Sequence, residues 1–167
     1  MKKRIAKFIT AAVIIAAVII LIFNPFSDKY LILEDDQTGE IYTKIPVENL
    51  DEFEITFTHS VNKSPVTDIY QIRDGNIYLT GNIYYSFGAG VPTEIYEGQK
   101  LSYGENGEMI ISDMDTLMPN LVYIIGTVTD YYLSVNGGEK VCLQDLYGTN
   151  KHIRIYCRGF CPGFINL

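Results

Sequence analysis

Apolar positions follow two regimes along this chain. Residues 8–23 are apolar almost without a break, interrupted only by Thr10, and they follow Lys2, Lys3, Arg4 and Lys7. From residue 30 onward, short runs rich in Ile, Val, Tyr, Phe and Thr alternate with turn residues. The first regime reads as a membrane segment, since a bilayer core takes ~20 apolar residues, range ~17–25. Residues 8–23 are slightly short alone, and Ile5 and Ala6, with Lys7 snorkelling, bring the run into range. A cleaved signal peptide shares the basic start but needs small residues at its cleavage site. Here the run ends Ile22-Phe23-Asn24-Pro25-Phe26, with no cysteine after it for a lipoprotein anchor. The expectation is therefore one uncleaved transmembrane helix, with a cleaved peptide and a buried core helix as the alternatives. Residues 1–29 are a cytoplasmic basic tip, signal-anchor helix and linker, contacting the membrane through residues 8–23. The basic tip keeps the N-terminus in the cytoplasm, which places residues 30–167 outside it.

The second regime is that of an all-β domain. Residues 30–34 and 40–44 read as strands around the turn Asp35-Asp36-Gln37-Thr38-Gly39, and residues 46–51 as a helical turn or loop. Residues 52–60 alternate, with Phe53, Ile55, Phe57 and His59 on one face and Glu54, Thr56 and Thr58 on the other. Residues 66–73 follow, then the turn Asp74-Gly75-Asn76, and then residues 77–80 and 83–87 flank Gly81-Asn82 as a compact reversal. Residues 98–102 and 108–112 form a hairpin-like pair. Ser112 or Asp113 is placed to cap a short helix through Met118, ended by Pro119. Residues 121–128, 131–135, 140–143 and 152–157 complete about ten short strands. The expected fold is a sandwich or small barrel with one short helix.

Charge narrows the partners. Residues 30–167 carry 8 Lys and Arg against 19 Asp and Glu, and 8 − 19 = −11. Such a surface repels nucleic acid and anionic lipid headgroups at long range, so no nucleic-acid partner is expected. Three cysteines, Cys142, Cys157 and Cys161, leave one thiol over from any single disulfide. Cys142 with Cys157, Cys157 with Cys161, and unpaired thiols are all open readings. Neither a second Cys pair nor a His pair completes a zinc site, and no cofactor or metal is expected.

Two stretches concentrate chemistry. His59, Ser60, Pro65 and Asp68 lie within ten residues of one another, and Glu94 follows. Adjacent His59 and Ser60 on a strand point to opposite faces, and no Gly-x-Ser-x-Gly elbow is present, which argues against a serine hydrolase. A metal-dependent or hydrolytic enzyme built on His59, Asp68 and Glu94 is the alternative reading. The structural reading makes His59 a half-buried residue bonded to a backbone carbonyl or to Glu94, with Ser60 and Asp68 capping turns. The second stretch, Phe87-Gly88-Ala89-Gly90-Val91-Pro92-Thr93-Glu94, has a specified backbone, because glycine admits conformations other residues avoid and Pro92 fixes φ. Its amides make a candidate anion nest, and a glycine bulge is the plainer reading. The 13 tyrosines follow the strand spacing and read as strand and interface filling.

The pattern His59-Ser60-Val61-x-Lys63-x-Pro65-Val66-x-Asp68, with Phe87-Gly88-Ala89-Gly90-Val91-Pro92-Thr93-Glu94, resembles the bacterial family of domains of unknown function numbered 1850. The resemblance runs over residues 31–156 and includes Leu117-x-Pro119-x-Leu121 and the hairpin after Asp130. It implies a small anchored protein, often encoded beside TRAP-type transporters for organic acids, with a transporter permease or solute receptor as partner. It also implies a histidine after the aspartate matching Asp130, where this chain carries Tyr131. The expectation is a membrane-anchored binding or accessory protein rather than an enzyme, with an envelope structural or sensing role as a further alternative.

Overall fold

The computed structural model describes residues 29–61, 63–85 and 95–159. The expected membrane helix at residues 8–23, the motif residues Phe87, Gly88, Ala89, Gly90, Pro92 and Glu94, and Cys161 lie outside the described residues. Among the described residues no helix is long and apolar enough to cross a membrane.

The domain is all-β, built from two sheets that face each other. The first has the order β2-β1-β12-β9, from strands β1 (Lys29–Asp35), β2 (Ile41–Val47), β9 (Leu121–Ile125) and β12 (Lys151–Gly159). The second has the order β11-β10-β3-β4-β5-β7-β6. Its strands are β3 (Glu52–Thr58), β4 (Pro65–Arg73), β5 (Asn76–Tyr84), β6 (Lys100–Tyr103), β7 (Met109–Ser112), β10 (Tyr131–Val135) and β11 (Val141–Cys142). A two-residue strand, β8 (Thr116–Leu117), pairs with β5 beside this path. The alternation expected from the sequence is present on β3, where Phe53 and Ile55 are buried and Phe57 packs against the core. They meet Leu31, Leu33, Leu121, Ile125, Ile153 and Ile155 of the first sheet, along with Tyr70 and Ile72 of β4. Burying each such side chain stabilises the fold by roughly 1.5–3 kcal/mol. Phe53 also stacks on Tyr70, ring centroids 4.9 Å apart.

Three local expectations are corrected. Gly81-Asn82 is no reversal: β5 runs through it, and the register slips so that Ile69 faces Gly81 while Tyr70 faces Leu79. Thr80 is the extra residue of a β-bulge, its hydroxyl donating to the Ile69 carbonyl at 3.2 Å. A bulge inverts the side-chain phase beyond it. Ile77 and Leu79 face the core before it, and Asn82 and Tyr84 face inward after it.

The segment after Asp113 is likewise not a helix. Met114 N–H donates to Thr80 O at 3.1 Å and Met118 N–H to Ile77 O at 2.9 Å, which ties the segment to β5 as β8. Too few residues precede Pro119 for a helix to outcompete that pairing. The strand expected at residues 140–143 is present as β11 but ends at Cys142, and Leu143 instead opens the one short helix among the described residues, α1 (Leu143–Tyr147). It buries Leu143 and ends at Gly148, whose φ of 80° favours glycine. Gln144 of α1 then closes the crossover from β9 to β10. Its amide donates to Thr129 O and its carbonyl accepts from Tyr131 N–H at 2.7 Å.

The bulge depends on a missing side chain. A Cβ at Gly81 would come within 2.9 Å of the Ile111 carbonyl oxygen on β7. Gly81→Ala should cost about 1–3 kcal/mol, as overpacking of a tight interior does. Gly126→Ala, whose added Cβ meets nothing within 4 Å, should stay within roughly 0.5 kcal/mol of wild type. Urea midpoints of the two variants decide the point, and equal midpoints would refute the steric account.

Candidate functional site

The inner face of β4 reads Val66, Asp68, Tyr70, Ile72, so one position in an apolar row carries a carboxylate. Asp68 pairs with Ile55 across β3 and with Asn82 across β5. The bulge at Thr80 turns Asn82 inward, and its amide donates to Asp68 Oδ1 at 2.6 Å. From the opposite sheet, Tyr123 of β9 donates its hydroxyl to Asp68 Oδ2 at 2.5 Å. Its single proton being committed there, Tyr123 accepts from the Tyr70 hydroxyl at 2.6 Å. Phe57, Tyr131 and Tyr123 pack around the group. Phe57 stacks on Tyr131 at 5.2 Å, and Tyr123 meets both rings edge-on.

This polar cluster divides two apolar ones. The main core lies on the Tyr70 side, and a smaller cluster of Val66, Tyr84, Met109 and Ile111 lies on the other. Burial pushes the Asp68 carboxyl above the ordinary carboxylate range, against the hydrogen bonds from Tyr123, Asn82 and Tyr70. Burial, and then the charge of Asp68, push the Tyr70 and Tyr123 hydroxyls well above the usual tyrosine value. Both stay protonated as donors. Both carboxylate oxygens already have neutral donors, so the cluster is closed as it stands.

His59 and Ser60 lie elsewhere. His59 sits half-buried in the turn from β3 to β4, where its N–H donates to Ser64 O at 2.8 Å and Lys63 N–H donates to its carbonyl at 2.9 Å. Its Nδ1 accepts from Val61 N–H at 3.3 Å, a contact within the turn, and Glu94, the other expected partner, lies outside the described residues. Ser60 is exposed in the same turn. Pro65 opens β4 opposite Thr58, a position a proline tolerates. Asp68, expected as a turn cap, is instead three residues into β4 and faces inward. The structure therefore separates Asp68 from the turn that holds His59. The turn that holds His59 lies at the end of the second sheet where β5 ends, because Val66 pairs with Tyr84. Among the described residues no three His, Cys, Asp or Glu side chains group as a metal site.

Tyr70, Asn82 and Tyr123 were not singled out by the sequence reading. A carboxylate at an inward position of the alternating run 66–72 is the signal that points to them. Cys142 and Cys157 are free thiols in different sheets, so no bridge joins them, and burial raises the Cys157 thiol.

A second buried carboxylate behaves oppositely. Asp35, at the end of β1, accepts from the Tyr42 hydroxyl at 2.7 Å, Lys151 Nζ at 3.0 Å, Gln37 N–H at 2.9 Å and Thr38 N–H at 3.1 Å. These bonds, Tyr42 first and Lys151 next, hold its carboxyl well below the ordinary range. Its contribution to stability is present above the unfolded pKa of about 4 and is lost as pH falls below it. Asp68, with a raised folded pKa, contributes in full below about pH 4, and this is lost as pH rises through the folded value. Urea midpoints across about pH 3 to 8 read both effects. The stability difference between wild type and Asp68→Asn should fall as pH rises above about 4, and that between wild type and Asp35→Asn should rise up to about pH 4 and then level. A flat Asp68 difference would remove the burial argument. Tyr123→Phe should cost about 1–3 kcal/mol at neutral pH by leaving a buried carboxylate oxygen without its donor.

Neither a curated protein nor a solved structure matches the chain. Residues 53–141, more than half of its 167, match the family described as Domain of unknown function (DUF1850). The match runs from β3 to β11 and contains Asp68, Tyr70, Asn82 and Tyr123 together with both motif stretches, so the chain belongs to that family.

Proposed function

We propose that this protein works by contact, as a membrane-anchored extracytoplasmic accessory module beside a TRAP-type organic-acid transporter. The observation that carries the reading is the exposed apolar end of the second sheet beside the turn that holds His59. Val61, Tyr85 and Tyr103 are 69%, 43% and 66% exposed there. Thr58 pairs with Pro65, Val66 with Tyr84, and Met109 with both Tyr84 and Tyr103, which sets the three residues at one end of the sheet, with Tyr103 on the face of Tyr84 and Tyr85 on the other. Aromatic and apolar side chains of this kind are enriched at protein interfaces, and the nearby carboxylate is already satisfied internally. The smaller apolar cluster beneath them holds the end rigid. Rigidity lowers the entropy that binding would otherwise lose.

Purification of the full chain from native membranes in mild detergent at low salt tests the reading. A transporter permease or solute receptor should co-purify, and the Val61→Asp/Tyr103→Ser double variant should lose it while keeping the wild-type melting temperature. Recovery of neither component, or retention of the partner by the variant, would sink the contact reading. So would a stoichiometric equivalent of zinc or manganese that is lost on His59→Ala.

A further inference from the structure

β1 begins at Lys29 and β12 ends at Gly159, and these two residues face each other in the register. Val47, the last residue of β2, faces Lys29 from the other side. The chain before residue 29 and the chain after residue 159 therefore both leave the first sheet at one corner. The outer face of that sheet near this corner differs from the rest of an acidic domain. Leu31 and Cys157 point inward, so Tyr30, Tyr156 and Arg158 point outward, with Lys44 beside them on β2. Farther along the same face, Arg154 is neutralised by Glu34 and Asp36, and Tyr156 donates to Glu34 at 2.6 Å. Toward the corner, Lys44 and Arg158 have no strand carboxylate opposite them on this face, whereas Lys29 keeps the inward phase of Leu31. The acids of this end, Glu48, Asp51, Glu52 and Asp74, belong to the turns and the second sheet.

We propose that this basic, tyrosine-bearing corner of the first sheet rests on the anionic headgroups of the membrane that holds the anchor, so that the domain leans on the first sheet. The inference rests on the anchor at residues 8–23. A tether makes the second contact intramolecular, so a weak charge attraction is enough to set orientation. Tyrosine and basic side chains are the residues that settle at a membrane interface. The carboxylates of the second sheet are repelled by the same headgroups, and that repulsion reinforces the lean. The motif end of the second sheet, reached by β3 running from Glu52 to Thr58, then faces away from the bilayer, free for a partner.

Amine acylation of the full chain in nanodiscs, read by mass spectrometry, tests the contact. A surface potential of about −30 mV raises the local proton concentration roughly threefold and lowers the reactive amine fraction equally. Lys44 should label roughly threefold more slowly in phosphatidylglycerol-containing nanodiscs than in pure phosphatidylcholine, with Lys63 and Lys140 unchanged. In Arg158→Glu the slowing at Lys44 should weaken at an unchanged melting temperature. If that variant does not fold, the wild-type comparison alone decides. Equal labelling of Lys44 in both lipids overturns the lean while the chain resists alkaline extraction. A chain that is extracted by alkali removes the anchor reading itself.

Discussion

A carboxylate placed between two packed sheets has to find hydrogen-bond donors from both, because burying it unpaired costs more than most single interactions return. Asp68 imposes that requirement where the sheets of this protein meet. Asn82 answers from the neighbouring strand and Tyr123 from across the interface. Each answer has its own structural condition. Asn82 faces inward only because Thr80 bulges, and the bulge fits only because Gly81 presents no Cβ to Ile111. Tyr123 reaches across only because β9 leaves its neighbours in sequence and pairs with β12 in the first sheet. The position of one acid thus fixes a bulge, a glycine and a sheet crossover.

The two buried acids show how environment, rather than depth, decides proton affinity. Asp35 has a cation and two backbone N–H groups within reach and stays ionised. Asp68 has only neutral donors, and burial raises its pKa in spite of them. Asp35 pins the β1–β2 hairpin to β12 through Lys151, which also lies over the Tyr42 ring. Asp68 joins sheet to sheet and separates the main core from the smaller cluster under the motif end. Acid should thus loosen the hairpin lock while it favours the seam.

Much of this was legible in the chain. Alternation of Phe53, Ile55 and Phe57 set the inward face of β3, and the Asp74-Gly75 and Asn136-Gly137 turns were marked by residues that accept positive φ. Where local signals misled, a distant partner prevailed. Gly81-Asn82 resembles a reversal until β4 and β7 are known to flank it on both sides. Thr116 and Leu117 carry no strand signal of their own and become a strand by pairing with β5. Leu143 reads as the end of a strand until Gly148 stops a helical turn beyond it. Of the candidate site, Asp68 was visible and its partners were not, since Tyr123 lies 55 positions away in the other sheet.

The span matched by the family does not contain the whole core of this chain. Residues 53–141 supply the second sheet and β9, whereas β1, β2 and β12 lie outside the match. Those outer strands contribute Leu31, Leu33, Ile153 and Ile155, which are almost completely buried against Phe53, Ile55 and Ile72. Exposing side chains of this size costs roughly 1.5–3 kcal/mol each, so removing four approaches the whole stability of an ordinary domain. β9 would also lose β12, its hydrogen-bonded neighbour, and with it the support that aims Tyr123 at Asp68. The polar seam is therefore held in place by strands outside the matched span. The first sheet covers the core, while the second carries Asp68 and the turn that holds His59. The seam at Asp68 is where the two are made to fit.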